Sequence, residues 1–325
     1  MAASPAAVVH QMMQAGMPPL APHELRVGAQ RIVRYGPKKR AWYTVHEIQA
    51  RRSDGSPRSF FVGTYGLWGR IESTPITVDH NDADTATRER IRAQAAALHA
   101  REEARRRRDA ERAARNAVEI WRESRPLARR VGYLARKKVD PLPPVPRVDH
   151  DDVIVVPMLR YDSPRESALV GVQQIWSDGR KHFPYGTAKA GAACRLGPPP
   201  VPGQALLMCE GLATGLSIAH ALREPRPVFV CFDAGNLLEV AQVLRAVFPA
   251  IPIGVCADDD FETPGNPGVR YALKAARKVG NASMVRPLFG KRETKLTDFN
   301  DLHLAEGIGE VRAQLEPFVR FLEAP

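Results

Sequence analysis

The chain has 325 residues and a net charge of +11, which is enough length for two or three domains with real hydrophobic cores. It contains no run of about 18 apolar residues, so no membrane span is expected, and its first residues lack the charged start of a signal peptide. Four cysteines stand singly without CxxC spacing, so a zinc site is not expected and a reducing, cytoplasmic setting is. These are Cys194, Cys209, Cys231 and Cys256.

Residues 1–23 are predicted to be a flexible tail, and residues 24–80 a small β-rich domain. The stretches "RAWYTVHEI" and "RSFFVGTYGLW" are aromatic and β-branched, and the turn sequence "RSDGSP" separates them. The aromatic side chains here suit either the stacking of nucleic-acid bases or the core of a small domain, and core packing is the favoured interpretation. They are Trp42, Tyr43, Phe60, Phe61, Tyr65 and Trp68.

Residues 81–139 are predicted to form a long basic helical segment, because 81–125 lack Gly and Pro and are rich in Ala, Arg and Glu. Between Arg88 and Lys138 there are 17 Lys and Arg against 7 Asp and Glu, whereas from Gly203 onward there are 13 against 15. Such asymmetry favours a polyanionic partner, usually nucleic acid. The helix is either a solvated spacer held by Glu–Arg pairs or an arm that contacts phosphates. The arm would use Arg105, Arg106, Arg107 and Arg108.

Residues 140–202 follow a Pro-rich boundary and are predicted to be a second, basic β-rich subdomain. The runs "DVIVVPMLRY" and "SALVGVQQIW" are typical of strands, and "SDGRK" predicts a hairpin turn after the second. Four polar or basic residues on or beside these strands are candidates for nucleic-acid or nucleotide binding. They are Arg160, Gln173, Lys181 and Lys189.

Residues 203–325 alternate between short apolar strands and helices, which predicts a mainly parallel sheet with helices on both faces. The fold class is therefore an α+β N-terminal part followed by an α/β domain. Acidic clusters follow three of the predicted strands, and ligands bind at the carboxyl ends of strands in such sheets. The clusters contain Glu210, then Asp258, Asp259 and Asp260, then Asp298, Asn300 and Asp301.

Three neighbouring acids at a strand end are unfavourable unless something neutralises them, although Asp also punctuates ordinary turns. No Lys or Arg stands next to Asp258–Asp260 in the sequence. Strand alternation lets Asp258 and Asp260 face one site while Asp259 points elsewhere. Oxygen ligands without His or Cys favour Mg²⁺ or Mn²⁺, and such sites serve phosphoryl transfer.

The motifs "CEGLATGLS", "CADDD" and "DFNDLHLAEG" together resemble those of a TOPRIM domain, and the "EGLATG" and "FNDLH" versions look like those of phage and plasmid primases. The segment "VVPMLRYDSPRESALVGVQQIWSDGRKHFPYG" is similar to the basic half of the RNA-polymerase core of bacterial primases. The stretch "RAWYTVHEI…FFVGTYGLWG" resembles the N-terminal region of the phage and plasmid proteins. The resemblance extends over roughly residues 25–315.

The resemblance implies roles for individual residues. Glu210 matches the acid proposed in this family as a base or a metal-linked group, and Asp258 and Asp260 match metal ligands. The third acidic element matches Asp298, Asn300 and Asp301, with Asn300 standing where bacterial primases tend to have Asp. Lys181 matches a basic position that lines the template and nucleotide groove, and Gly211 would allow a phosphate to approach the backbone at the start of a helix.

The implied function is a DNA primase that makes short RNA primers on single-stranded DNA from NTPs, with Mg²⁺ or Mn²⁺ as cofactor. The chain contains no Cys and His set for a zinc-ribbon and no P-loop of a fused helicase. A separate replicative helicase is therefore expected as a further partner. A TOPRIM nuclease and a non-catalytic DNA-binding replication accessory are the alternatives. Nucleotide incorporation separates priming from both, and strand cleavage without NTPs identifies the nuclease.

Overall fold

The computed structural model describes residues 4–29, 31–51, 56–68, 70–76, 85–164, 168–291 and 295–324. The chain divides into two compact units, Met1–Arg105 and Arg106–Pro325. This division falls inside the segment 81–139 that the sequence predicts to be helical. Among the described residues, no helix combines the length and the apolar character that crossing a membrane requires.

The first unit contains a four-stranded antiparallel sheet in the order β1-β2-β3-β4. The long strands β2 and β3 are the two aromatic stretches predicted from the sequence, and most of the turn between them lies outside the described residues. The strands are β1 (Val33–Tyr35), β2 (Ala41–Arg51), β3 (Pro57–Leu67) and β4 (Ile71–Pro75).

The expected flexible tail at residues 1–23 is instead partly helical. Helix α1 (Pro5–Gln14) begins after Ser4, whose hydroxyl accepts a hydrogen bond from the Ala7 backbone N–H at 3.2 Å. Its Val8, Val9 and Met12 are buried against one face of the sheet in a core that includes Tyr43 and Tyr65. The helix forms because Val8, Val9 and Met12 recur at helical spacing and give it one apolar face to bury.

Helix α2 (Thr85–Glu123) is the long basic helix that the composition predicts. In the first unit its Ala95 packs beside Ile48 and Phe60. In the second unit its buried Ala117 packs against two strand residues, Val155 and Val172. The helix is therefore more than a solvated spacer, because small Ala side chains let both parts of it approach a sheet closely.

The second unit contains an antiparallel sheet in the order β5-β6-β7-β8-β9. A short helix, α3 (Gly132–Arg136), lies between the first two strands in sequence. The predicted hairpin joins the last two strands. The strands are β5 (Arg125–Pro126), β6 (Arg147–Val148), β7 (Ile154–Leu159), β8 (Leu169–Ile175) and β9 (Lys181–His182).

The second sheet of this unit has the order β10-β12-β11-β13-β14, and β12, β11, β13 and β14 run parallel. The predicted mainly parallel sheet is thus confirmed. Its strands are β10 (Cys194–Leu196), β11 (Leu206–Cys209), β12 (Val228–Val230), β13 (Ile253–Cys256) and β14 (Ala282–Val285). Strand β10 pairs antiparallel with β12, so it belongs to this sheet and not to the predicted 140–202 subdomain.

Helices cover both faces of the parallel sheet. One face packs against α4, α7 and α8, and the other packs against α5 and α6. The strand residues between the two layers are buried, as their continuous apolar sequences predict. The helices are α4 (Leu212–Ala221), α5 (Leu237–Val247), α6 (Pro267–Val279), α7 (Phe299–Glu306) and α8 (Ile308–Glu323).

Candidate active site

Acidic residues converge at the carboxyl edge of the parallel sheet. Glu210 directly follows β11, Asp233 follows β12, and Asp258 follows β13. Because these strands are parallel neighbours, their carboxyl ends lie at one edge. Asp298, which begins α7, joins them in a cavity of about 420 Å³.

The cavity has a basic side as well as an acidic one, and both are formed by the second unit. Its wall includes Lys181 from β9 and the cations Arg136 and Lys137 from the end of α3. The remaining lining residues are Tyr133, Asp178, Gly179, Gly211, Ala213, Thr214 and Phe232. Carboxylates and basic side chains thus line one space. The basic side chains can bind an anionic ligand directly, and the carboxylates can bind it through a metal ion.

Two acidic oxygens in this cavity are buried without compensation. Glu210 Oε1 and Asp258 Oδ1 find no hydrogen-bond partner among the described residues. The pKa of Glu210 is raised to about 8, first by burial and then by repulsion from Asp260 and Asp233. Burial, then Glu210 and Asp298, raise the pKa of Asp258 well above its usual range. Such a cluster is destabilised whenever its members ionise together.

Asp298 is held by the start of α7. Its Oδ1 accepts the backbone N–H groups of Asn300 at 2.7 Å and Asp301 at 2.8 Å, and its carboxylate also accepts a hydrogen bond from the Thr214 side chain. Burial and the charge of Asp301 raise the pKa of Asp298. The helix start therefore fixes the direction of this carboxylate before any ligand binds.

The start of α4 directly follows the acid Glu210 and lies close to Lys181. Gly211 precedes the helix and no side chain caps it. A Cβ atom at Gly211 would lie 3.9 Å from Lys181 Nζ, so the ammonium group lies close to the N-terminus of α4. The uncapped N–H groups there are suited to a phosphate.

Asp259 and Asp260 do not line the cavity. Asp259 is fully buried, and its Oδ2 accepts a hydrogen bond at 2.8 Å from Arg286 Nη1, which follows β14. The sequence predicts that Asp259 points away from the site, but it carries no local signal for this distant cation. Asp260 Oδ2 accepts the Gly268 backbone N–H at 3.2 Å, yet Asp260 is close enough to raise the pKa of Glu210.

The structure places Asn300 differently from the expected metal ligand. Its fully buried side chain donates hydrogen bonds of 3.0 Å to the backbone oxygen of Lys137 and to Ser217 Oγ. The residue therefore joins α7 to α3 and α4 and does not line the cavity. Asp301 accepts the Thr297 N–H at 3.0 Å and lies 3.7 Å from Lys137 Nζ, so it holds Lys137 and the start of α7 in place.

Two further candidates do not line the cavity. Gln173 is only 2% exposed, so it offers no surface to a nucleic acid, contrary to expectation. Arg160 binds Asp162 and donates to the Ala190 backbone oxygen at 2.7 Å.

Lys189 forms an ion pair with Asp233, which holds it beside the cavity.

On α2, Arg105 lies 4.0 Å from Glu102, and Arg107 lies 3.3 Å from Glu111. Arg106, Arg107 and Arg108 are exposed on the same helix.

Sequence reasoning missed several residues of this cavity. Asp233 follows a parallel strand, so the rule that found Glu210 and Asp258 would also have found it. Arg136 and Lys137 gave no such signal, because the sequence places them in a uniformly basic segment. Phe232 has a φ of 75°, a left-handed conformation that is rare for a bulky residue and is often found beside functional sites.

The cavity residues fit a hard divalent cation in their chemistry. The donors are carboxylate oxygens alone, and two of these oxygens lack a partner among the described residues. The pKa values of Glu210 and Asp258 are raised first by burial and then by mutual repulsion. Within the described ranges, no three His, Cys, Asp or Glu side chains already form a coordination group. Glu210, Asp258 and Asp298 are the residues that would hold the ion.

Glu210→Gln should stabilise the metal-free protein at alkaline pH. The folded-state pKa of about 8 exceeds the ordinary value of 4.5, so the folded state binds more protons between these values. The free energy of unfolding therefore falls as pH rises through this window. We expect the Tm of the variant in EDTA to exceed that of the wild type by at least about 3 °C near pH 8.5 and to match it near pH 5. Equal values at both pH settings would contradict the buried repulsion, and the exposed Glu262→Gln is the control.

The comparisons with known proteins agree with the acidic motifs. Residues 205–309 match the family described as Toprim domain, so the predicted domain is confirmed in this segment. The chain is 30% identical over 196 residues to a DNA primase TraC of Escherichia coli, which is 55% of this chain and 18% of that protein. A second DNA primase TraC of Escherichia coli is 35% identical over 128 residues, 38% of this chain and 9% of that protein.

The chain thus spans less than a fifth of the length of these curated relatives. Among solved structures, it is similar to the primase fragment of the bacteriophage T7 primase-helicase protein, with a TM-score of 0.40 and 12% identity over 82% of this chain and 100% of that one. It is also similar to the DnaG catalytic core, with a TM-score of 0.34 and 14% identity over 51% and 52% of the two chains.

Proposed function

We propose that this chain is a DNA primase of the TOPRIM type, a metal-dependent nucleotidyltransferase that makes short RNA primers on single-stranded DNA. Its setting would be the replication of a phage, plasmid or other mobile element in the cytoplasm. One observation carries the proposal: Glu210, Asp258 and Asp298 line the same cavity as Lys181 and Lys137. Similarity to DNA primase TraC over 196 residues supports it.

The acidic side of the cavity would act on the reacting oxygens. Bound Mg²⁺ or Mn²⁺ would supply a Lewis acid that neutralises phosphoryl charge. Glu210, Asp258 and Asp298 would hold it, with Asp260 as a further candidate ligand. Because the Glu210 pKa is about 8, this group carries a proton at neutral pH without metal, and cation binding should release it.

The basic side would act on the phosphates of the NTP and of the template. Lys181 and the free N–H groups at the start of α4 lie next to each other, so they can bind one phosphate together. Arg136 and Lys137 add positive charge on the same wall. These groups orient the triphosphate before reaction, and that positioning is what lowers the barrier in phosphoryl transfer.

The test is a priming assay with labelled NTPs, single-stranded DNA and Mg²⁺ or Mn²⁺. The expected result is template-dependent incorporation that stops when either the template or the metal is left out. DNA cleavage without NTPs would show a nuclease instead. DNA binding without incorporation or cleavage would show a non-catalytic accessory. A replicative helicase from a separate chain remains the proposed partner, to be added as a second component of the assay.

A further inference from the structure

One face of the sheet in the first unit carries two tryptophans at one end, and neither belongs to the core clusters formed by the described residues of this unit. Trp42 and Gly66 are register partners across β2 and β3, and Trp68 follows two residues later on the same side. The Trp42 indole lies across Gly66, where a Cβ atom would come within 2.6 Å of the ring. The two indole rings are 6.4 Å apart at an angle of 47°.

Trp68 differs from the buried aromatic residues of the unit, and Trp42 beside it is half-buried. Tyr43, Phe60 and Tyr65 are all less than 3% exposed, whereas Trp68 is 54% exposed. Helix α2 covers the other end of this face through Ala95 beside Ile48. Within the first unit, the tryptophan end is therefore left open to solvent.

Positive charge surrounds this open end. Arg34 is the register partner of Trp42 on β1, and it is exposed. Residues 31–42 contain five Arg and Lys and no Asp or Glu. The Trp68 backbone N–H donates to the Arg40 oxygen at 3.1 Å, which brings the exposed basic turn Lys38–Arg40 next to the exposed indole.

We propose that Trp42 and Trp68, with Arg34 and the Lys38–Arg40 turn, form a binding site for single-stranded DNA. Indole faces stack on unpaired bases of any sequence, and the cations bind the adjoining phosphates. Duplex DNA hides its bases in its own stack and offers the indoles nothing. The choice of single-stranded DNA as the ligand rests on the proposed function. Through this site the first unit would help to hold the template.

Binding of a fluorescein-labelled oligothymidine to the full chain tests the site, measured by anisotropy in EDTA without NTPs. Trp68→Ala should weaken binding by about tenfold, the range expected for losing one stacked base. Trp68→Phe should keep most of the affinity because the phenyl ring still stacks. Phe321→Ala, which removes a ring that is 66% exposed on α8, should leave binding unchanged.

The basic residues are tested by the salt dependence of the same binding. Changing Arg34, Lys38 and Lys39 together to Gln should reduce the slope of log affinity against log salt by about 0.7 for each phosphate that the variant no longer neutralises. Affinity for duplex DNA should not change in Trp68→Ala. Single-strand affinity of Trp68→Ala equal to that of the wild type overturns the proposal, as does an equal loss for duplex DNA. If the tryptophan dependence is found while the wild type makes no primers, the proposed function fails and this site stands.

Discussion

Asp258→Asn is expected to reduce nucleotide incorporation at least about 10³-fold, a loss of about 4 kcal/mol of transition-state stabilisation. Asp258 Oδ1 is buried beside Glu210 and has no hydrogen-bond partner among the described residues, so this oxygen is available to a cation. The amide keeps the shape of the side chain but loses the charge. The measurements are incorporation of labelled NTPs and titration with Mn²⁺, which should bind more weakly.

Folding of this variant should not suffer, because the substitution removes one of several mutually repelling acids. Single-stranded DNA binding should also stay near the wild-type value. Asp151→Asn is the matched control, since it makes the same change at an exposed acid whose side chain retains 75% of its surface. Normal incorporation by Asp258→Asn would rule out the carboxylate cluster as the catalytic metal site.

Lys181→Ala is expected to reduce incorporation about 10²-fold while Mn²⁺ affinity stays near the wild-type value. Lys181 Nζ lies beside Gly211 at the start of α4, in the cavity that the carboxylates also line. Removing a cation that is positioned to stabilise the developing charge on a phosphoryl group typically lowers the rate by about this factor. The residue is exposed, so the truncation should leave the Tm unchanged.

The two variants together test the separation of roles between the two sides of the cavity. Asp258→Asn should lose metal and keep template, whereas Lys181→Ala should keep metal and lose nucleotide positioning. Lys278→Ala, at an exposed position on α6, makes the same charge change elsewhere and should have wild-type activity. A Lys181→Ala enzyme that loses Mn²⁺ and keeps full synthesis would show that the sides are assigned wrongly.

Much of the second unit was predictable from local sequence. The alternation of short apolar runs with helices predicts the parallel strands, and the carboxyl-edge rule then brings Glu210, Asp258 and Asp298 together. This inference works because strand direction and strand end are local properties that the chain carries in its own pattern. The same rule applied to β12 would also have added Asp233.

What the sequence could not provide were contacts between distant segments. Nothing near Asp259 in the chain indicates that Arg286 neutralises it at 2.8 Å. Asn300 has the position of a ligand in its motif, yet its side chain is fully buried and donates to Lys137 and Ser217. A motif fixes which residues follow a strand but not which way each side chain turns, because that depends on partners many residues away.

The sequence by itself determined the kind of chemistry: oxygen donors at strand ends, an excess of basic residues upstream, and a Toprim motif set. The tertiary structure alone decided that Arg136 and Lys137, from the end of a helix, join Lys181 in the cavity that the acids line. It alone decided that Tyr43 is buried and Trp68 is 54% exposed on the same small sheet. The physical reason is that composition and periodicity are local, whereas burial and pairing of charges depend on how non-adjacent elements pack.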